Sequence, residues 1–383
     1  MTSLASTSED LLPWLSDSTD LGRRVRVAIE ADGYCVLRGV LTEDECAREV
    51  ARIWDYIEAI SPTGISRDDP DSWFAATERA TPPAADTIDA AAAAVAAAAE
   101  VPKPKPTDPT DPWPHTGWGS FPDMFQSQQA GWLFSELRAL LAARVFAPIY
   151  GTSELLLHCP EGFTFHRPTP ADGRHPLGLG KRVVSVCGKP CSVSVGEHFD
   201  QSACVDGLRR IQSSVALLDQ TADDGCFVCW PGSHRAHPAL IKGTWRGRSD
   251  WVPLTDAELS TLREQGFTQR RVPVQAGDMI LWRPDLAHCG ASPLGARENF
   301  RAVSYNCLLP AAFMCRGMLQ VVAAVVQEGG DGADEDEYAM VPGKLEAYLG
   351  MQTGASGLPN ARRKDLDLRP YFTDGPPMLT WRQ

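Results

Sequence analysis

The chain has 383 residues, of which 43% are hydrophobic and 22% charged, so it carries enough apolar material for a large core and global disorder is excluded. Its formal net charge of −13 disfavours nucleic acid as the main partner, because proteins that bind a phosphate backbone present a basic face. The 11 cysteines and the acidic, proline-containing N-terminus, which lacks the pattern of a secretion signal, predict a cytoplasmic protein with reduced thiols. Apart from an alanine tract, no apolar run approaches 18 residues without charge, so no membrane span is expected.

Residues 20–80 are expected to form a buttress of helices and one strand. An apolar stripe at helical spacing over residues 20–31 predicts a helix, which Gly33 ends. A short strand follows, and then Thr42 and Glu45 have the spacing of a capping box at the start of a second helix.

Residues 81–114 differ from the rest of the chain, because an alanine-rich run is followed by a proline-rich run. This composition predicts a flexible insertion at the surface rather than a boundary between two domains. A further helix is expected over residues 127–146, with Pro148 ending it.

Residues 150–310 have the pattern of a mainly β domain, with short apolar runs separated by Gly, Pro and Asp turns. Many short strands at this spacing favour a sandwich or a barrel. The strands are expected at 154–158, 162–166, 182–187, 191–200, 208–218, 225–230, 271–274, 278–283 and 300–309. Residues 311–383 form a C-terminal extension without an assigned role, and the whole chain of 1–383 is expected to be a single catalytic unit.

The first chemically informative element is the run Gly196-Glu197-His198-Phe199-Asp200-Gln201. Side chains alternate across a strand, so His198 and Asp200 point to the same side. Imidazole and carboxylate in this arrangement are two of the three ligands of the 2-His-1-carboxylate triad, which holds ferrous iron with open positions. His-x-Asp is common by chance, so the interpretation requires a third ligand.

The third ligand and a co-substrate anchor are expected further along the chain. His288 ends the run GDMILWRPDLAH at a predicted strand exit, where the rim of a barrel would bring it towards His198 and Asp200. Arg301 lies inside the next predicted strand and can form a bidentate pair with the far end of a dicarboxylate. Arg297 competes for this role, but it lies in a predicted turn.

A structural zinc site is the main alternative, because Cys187 with Cys191 and Cys226 with Cys229 form two close pairs. Cys226 and Cys229 are three apart in a predicted strand and should therefore face opposite sides, which opposes a shared ion.

The remaining histidines are expected to have other roles. Ser233 and His234 of the run PGSH should stabilise a loop near the site, and His237 should lie at the surface. His158 and His166 lie in predicted strands and are expected in the core or in a pocket wall.

The sequence resembles the phytanoyl-CoA dioxygenase family of iron(II)- and 2-oxoglutarate-dependent oxygenases. Four ordered pieces carry the resemblance: HFDQ at 198–201, DDGCFVCWPGSHR at 223–235, GDMILWRPDLAH at 277–288 and FRAVS at 300–304. GYCVLRGVLTEDEC at 33–46 also resembles the opening strand and helix of that family. The resemblance covers roughly residues 20–310 and is patchy between 61 and 154.

The resemblance implies a jelly-roll or cupin-like double-stranded β-helix, with the N-terminal helices as a buttress. It also implies iron(II), 2-oxoglutarate and dioxygen, with His198, Asp200 and His288 as catalytic metal ligands and Arg301 as the co-substrate arginine. Halogenating relatives replace the carboxylate, so Asp200 favours hydroxylation or desaturation of a small organic substrate with release of succinate and carbon dioxide. A non-catalytic binding or structural protein that retains the same barrel is the alternative.

Overall fold

The protein is described by a computed structural model that covers residues 10–61, 64–74, 113, 124–125, 134–157, 162–168, 181–186, 189–205, 207–244, 251–291, 293–294, 297–310 and 312–313. The helices are α1 (Asp20–Ala31), α2 (Glu43–Ile60), α3 (Ser135–Leu141), α4 (Ala147–Tyr150), α5 (His237–Ile241) and α6 (Asp256–Glu264). A π-helical segment at Ala142–Phe146 joins α3 to α4, and 3-10 turns lie at Leu12–Trp14, Pro70–Trp73 and Ser233–Arg235.

The described residues also form short strands along most of the chain. They are β1 (Tyr34–Leu37), β2 (Met124–Phe125), β3 (Leu155–Leu157), β4 (Phe163–His166), β5 (Lys181–Val186), β6 (Lys189–Phe199), β7 (Gln212–Ala216), β8 (Cys226–Cys229), β9 (Val252–Thr255), β10 (Arg270–Val272), β11 (Met279–Trp282), β12 (His288–Ala291), β13 (Arg301–Asn306) and β14 (Leu308–Pro310). The sequence predicted most of them, but it missed β2, β9 and β12.

Two antiparallel sheets make up the body of the fold. Sheet 1 has the order β1-β11-β7-β13-β4-β2, and sheet 2 has the order β10-β8-β12-β6-β5 with β9 also paired to β6. From β6 to β8, and again from β10 to β13, successive strands alternate between the two sheets. That alternation is the winding of a jelly roll, so the predicted double-stranded β-helix is confirmed.

The two faces of sheet 1 have different partners. One face packs on sheet 2 through an apolar cluster that includes Ile280 and Trp282 of sheet 1 and Phe227 of sheet 2. The other face is covered by α1 and α2, because helix residues such as Ile29 and Ile57 pack in one cluster with strand residues of β4, β7 and β11. The N-terminal helices therefore buttress sheet 1, as the apolar stripes predicted.

Helix α2 begins at the predicted capping box. The Thr42 side chain accepts a hydrogen bond from the Glu45 backbone N–H at 3.2 Å, and the Glu45 carboxylate accepts one from the Thr42 N–H at 2.9 Å. Arg144 holds the same carboxylate at 2.7 and 2.8 Å. These bonds fix the angle at which α2 leaves β1 and crosses sheet 1.

The prediction that Pro148 ends a helix is wrong, because the helical path continues through it to Tyr150. Proline lacks the N–H that an α-helix would use, and the preceding π-helical segment changes the pairing of the backbone just before it. The helix ends instead at Gly151, whose φ of 65° lies in the left-handed region.

Two predicted segments fall largely outside the described residues. Of the insertion at 81–114 only Trp113 is described, and it is 2% exposed. Of the extension at 311–383 only residues 312 and 313 are described.

Candidate metal centre

Sheet 2 brings the three predicted ligands together. His198 lies near the end of β6, Asp200 follows that strand, and His288 is the first residue of β12, where it pairs in register with His198. One ligand atom from each residue lies within 4.8 Å of the other two. The Asp200 Oδ2 atom is 3.6 Å from His198 Nε2 and 3.5 Å from His288 Nε2.

His288 therefore begins a strand, whereas the sequence predicted it at a strand exit. The loop before it is tied to the first two ligands, because the Asp200 N–H donates to the Pro284 carbonyl at 2.7 Å. This bond and the register pair fix the distance between the two halves of the metal centre.

The Nδ1 hydrogen bonds of both imidazoles direct the Nε2 atom of each ring towards Asp200. Nδ1 of His198 lies 2.6 Å from the Gly196 carbonyl oxygen, and Nδ1 of His288 lies 2.8 Å from the Leu286 carbonyl oxygen. A carbonyl oxygen only accepts, so each Nδ1 carries a proton, and in the neutral ring Nε2 is the nitrogen with the lone pair. The two Nε2 atoms are the ones that converge on Asp200, which is the arrangement a metal ion requires.

The charges of the cluster suit a cation. Burial alone would raise the pKa of Asp200, but the two neighbouring imidazoles hold it well below its usual value, so the carboxylate is ionised at neutral pH. Burial and the proximity of His198 lower the pKa of His288. Burial opposes protonation of His198 as well, but the Asp200 carboxylate outweighs it and raises the pKa of His198.

The donor set fits iron(II). Two imidazole nitrogens and one carboxylate oxygen are the ligands of the 2-His-1-carboxylate site, which leaves positions open on the metal. Ligand atoms about 2.1 Å from one ion and at right angles lie about 3 Å apart. The separations of 3.5 and 3.6 Å in the cluster need only a small contraction to reach that value.

Two side chains that the sequence reasoning missed contact the cluster. Gln212 Nε2 donates to Asp200 Oδ2 at 2.8 Å, and Trp282 Nε1 donates to His288 Nε2 at 3.1 Å. Gln212 and Trp282 are register partners on β7 and β11 of sheet 1, so the sheet opposite the ligands supplies both contacts. The three consecutive polar residues Gln212, Ser213 and Ser214 in a predicted strand are the signal in the sequence that a polar face lies here.

The loop that carries His288 is held by the PGSH run, as predicted for Ser233. Ser233 Oγ accepts from the Ala287 N–H at 2.9 Å, and the Trp230 N–H donates to the Ala287 carbonyl at 2.9 Å. Gly33, just before β1, packs against this loop, and a Cβ on it would lie 2.8 Å from both His234 Nδ1 and Leu286 Cδ1. Only glycine fits there, and its φ of 81° also favours glycine.

The remaining described histidines do not join the cluster. His234 is buried and contacts the Glu30 carbonyl at 3.2 Å, which agrees with a structural role. His237 was predicted at the surface, but it is 1% exposed and bonds the Gln201 carbonyl at 2.7 Å, so that prediction is wrong. His166 lies on β4 in register with Arg301, and His158 is outside the described residues.

Arg301 and Arg297 differ in burial and in partners. Arg301 is 6% exposed and begins β13, and a Cβ on Gly290 would lie 3.7 Å from its Nη1. Gly290 is two residues after His288 on β12, so it faces the same side and places the Arg301 guanidinium inside the barrel near the metal centre. Arg297 is half-buried and pairs with Asp223 and Asp224 at 3.3 Å each.

The described cysteines do not support the zinc alternative. Cys226 packs with Val228 and Cys289 in one apolar cluster, whereas Cys229 packs in the cluster between the sheets. The two thiols therefore face opposite sides of β8, as the strand spacing predicted. Among the described residues, His198, Asp200 and His288 form the one group of three or more His, Cys, Asp or Glu side chains that could hold a metal ion. No helix within the described ranges is long and apolar enough to cross a membrane.

Residues 198–297 match the family model described as phytanoyl-CoA dioxygenase (PhyH), and this range contains all three residues of the cluster. No curated protein sequence matches the chain. The solved structure of "EctD from S. alaskensis with 2-oxoglutarate and 5-hydroxyectoine" is 15% identical, with a TM-score of 0.42 over 78% of this chain and 79% of that chain. The "carbocyclase SnoK from nogalamycin biosynthesis" is 14% identical, with a TM-score of 0.42 over 76% of this chain and 85% of that chain.

These structural likenesses are distant and carry no argument about what this chain acts on. The family match spans the segment from the first ligand of the cluster to the turn before Arg301, and the geometry of that segment fits the chemistry of the family. Over residues 198–297 the chain is therefore similar to the phytanoyl-CoA dioxygenase family of iron(II)- and 2-oxoglutarate-dependent oxygenases, and the cluster within that segment has the ligands that this chemistry uses.

Proposed function

We propose that this oxygenase hydroxylates, or desaturates, a small organic substrate at an iron(II) ion held by His198, Asp200 and His288. The convergence of the three ligand atoms within 4.8 Å carries the proposal. Asp200 supports oxygenation over halogenation, because an ionised carboxylate at this position neutralises part of the charge of the metal and occupies the position that a halide would take.

Bound iron(II) with 2-oxoglutarate and dioxygen supplies the oxidising chemistry, in which the co-substrate is converted to succinate and carbon dioxide. The residues of the chain orient the ligands. The Nδ1–H groups of both imidazoles are fixed by backbone carbonyls, and Gln212 fixes the oxygen of Asp200. The guanidinium of Arg301 then orients the far carboxylate of 2-oxoglutarate through a bidentate pair.

Aromatic rings shield one side of the metal centre from water. The Phe227 ring stacks on the His288 ring with centroids 5.7 Å apart, and the Trp282 ring lies 4.9 Å from Phe227. Both side chains are buried, so they form an apolar wall that raises the strength of electrostatic contacts in the site.

The experiment measures iron content and succinate formation for His198→Ala, Asp200→Ala and His288→Ala. Each variant should lose bound iron and turnover, because two ligands do not hold the metal in a geometry that leaves it reactive. Asp223→Ala is the matched control, since the Asp223 side chain is 65% exposed and pairs with Arg297, outside the ligand cluster. Activity close to that of the unmodified protein in any of the three variants would remove that residue from the ligand set.

The same assay separates the enzyme from a binding protein with the same barrel. Iron(II), 2-oxoglutarate and oxygen should give some succinate even without the organic substrate, because the co-substrate reaction can run uncoupled. Complete absence of iron-dependent succinate from the folded protein would favour the binding protein.

A further inference from the structure

The side chain of Gln220 lies beside Arg301 in a fixed orientation. Gln220 is 3% exposed, and its Oε1 is 3.4 Å from Arg301 Nε. Its backbone is held by two hydrogen bonds with Val274, at 2.8 and 2.9 Å. The residue therefore has little freedom to move away from the arginine.

The neighbouring Arg301 guanidinium determines the orientation of the Gln220 side-chain amide. A guanidinium has only donors, so a glutamine beside it must present its oxygen to it and turn its NH2 group away. Within the described part of the chain, the Gln220 Nε2 atom is buried and has no hydrogen-bond partner. A buried donor without an acceptor is costly, which points to an acceptor supplied by a ligand.

Gln220 and Arg301 line one cavity, together with Gly225. A Cβ on Gly225 would lie 3.3 Å from Arg301 Cδ, so the glycine lets the arginine lie flat at the wall of the cavity. Asp224 also borders the cavity, but its carboxylate accepts from Thr221 at 2.6 and 2.8 Å and pairs with Arg297. The Arg301 guanidinium and the Gln220 amide NH2 are two donors at this cavity, and together they suit a carboxylate.

Strand β13 does not supply a second donor of this kind. The next residue of β13 on the same face as Arg301 is Val303, which is apolar, and the one after it is Tyr305, whose hydroxyl bonds Thr164 Oγ1 at 3.0 Å. Gln220, from the segment after β7, is the residue that places an amide donor beside Arg301.

We propose that Gln220 Nε2 donates a hydrogen bond to the far carboxylate of 2-oxoglutarate, next to the bidentate pair of Arg301. This inference rests on the proposed role of Arg301. Gln220 is then a specificity residue, because it favours 2-oxo acids with a second carboxylate over those without one.

The test measures dissociation constants by calorimetry on the full chain loaded with Mn(II), which allows binding without turnover. The two probes are 2-oxoglutarate and 2-oxobutanoate, which lacks the far carboxylate. Gln220→Leu keeps the approximate size but removes the donor, and it should weaken 2-oxoglutarate about tenfold while leaving 2-oxobutanoate unchanged. Gln220→Glu should weaken 2-oxoglutarate further, because its carboxylate pairs with Arg301 and repels the ligand.

Gln275 is exposed, so Gln275→Leu is the matched control. Its dissociation constants for both acids should equal those of the unmodified protein. Equal loss of both acids in Gln220→Leu, or no loss of either, would overturn the inference, and Gln220→Glu decides the outcome if the leucine variant does not fold. Absence of metal-dependent 2-oxoglutarate binding in the unmodified protein would instead overturn the proposed function as well.

Discussion

Gln212 donates its amide hydrogen to the oxygen of Asp200 that faces both imidazoles, so it is expected to set the orientation of that carboxylate. Gln212→Leu removes the bond at nearly constant size. Because partners of metal ligands typically contribute about 10- to 100-fold to metal affinity, we expect a loss of that order in Mn(II) affinity. The dissociation constant of Mn(II) is measured by titration, with the free Mn(II) followed by electron paramagnetic resonance. Ser214→Ala, at the next inward position of β7, is the control, and equal affinities in the two variants would contradict the role of Gln212.

Arg301 and Arg297 are the two candidate anchors of 2-oxoglutarate, and a lysine substitution at each distinguishes between them. Arg301→Lys loses the planar fork that matches a carboxylate, so the dissociation constant of 2-oxoglutarate should rise about 10- to 100-fold with metal binding unchanged. Arg297→Lys should have little effect, because Arg297 already pairs with Asp223 and Asp224. Binding assays on the Mn(II)-loaded protein compare the two, and a defect confined to Arg297→Lys would move the anchor to the turn.

At the scale of single residues, the sequence predicts the metal ligands that lie in a recognisable motif. It does not predict the side chains that form hydrogen bonds with those ligands. His198, Asp200 and His288 stand in recognisable runs. Gln212 reaches the site because β7 lies in the sheet opposite the ligands, between β11 and β13. That order of strands depends on long-range pairing, and hydrophobic periodicity contains no information on it.

At the scale of elements, the turn before β11 depends on Gly277. Its φ is 88°, and a Cβ on it would lie 2.3 Å from the Leu41 carbonyl oxygen, at the start of α2. Gly277→Ala should therefore cost about 2–4 kcal/mol, from backbone strain and from the displacement of a rigid backbone atom. Gly266 has a similar φ of 86°, but a Cβ on it would have no atom within 4 Å. Gly266→Ala should therefore lower the free energy of unfolding by only about 1 kcal/mol. Urea unfolding measures both, and equal losses would show that the contact with Leu41 has no effect.

Element prediction succeeded where local chemistry decides the structure. The capping box of Thr42 and Glu45 was predicted to the residue, because its hydrogen bonds lie within one turn. Strand β12 was missed because its four residues, His288 to Ala291, lack an apolar alternation and are extended only through pairing with β6 and β8. The strand that carries the third ligand is thus defined by its neighbours in the sheet.

Over the whole molecule, Trp113 joins the otherwise undescribed segment at 81–114 to the buttressed face of sheet 1. Its ring lies 6.0 Å from Trp54 of α2, 6.0 Å from Phe165 of β4 and 6.2 Å from Phe300, while Arg167 Cζ lies 4.9 Å above it. The ring is therefore shared by the helix layer and the sheet. The composition of 81–114 predicts a flexible insertion at the surface. The packing of Trp113 shows that residue 113 does not fit this prediction, because its ring is buried in the core.

The two parts of that segment are expected to differ in their effect on stability. Trp113→Ala removes a large buried ring and should lower the free energy of unfolding by about 3–5 kcal/mol. Deletion of residues 81–108, which keeps Trp113, should change it by less than about 1 kcal/mol, because the entropy of closing a loop varies only with the logarithm of its length. Leu294→Ala, at a side chain that is 64% exposed, is the control and should stay within about 0.5 kcal/mol. Urea unfolding of the three variants measures these differences. A loss on deletion as large as that of Trp113→Ala would show that the alanine- and proline-rich residues pack on the core, and the insertion would then have to be counted as part of the fold.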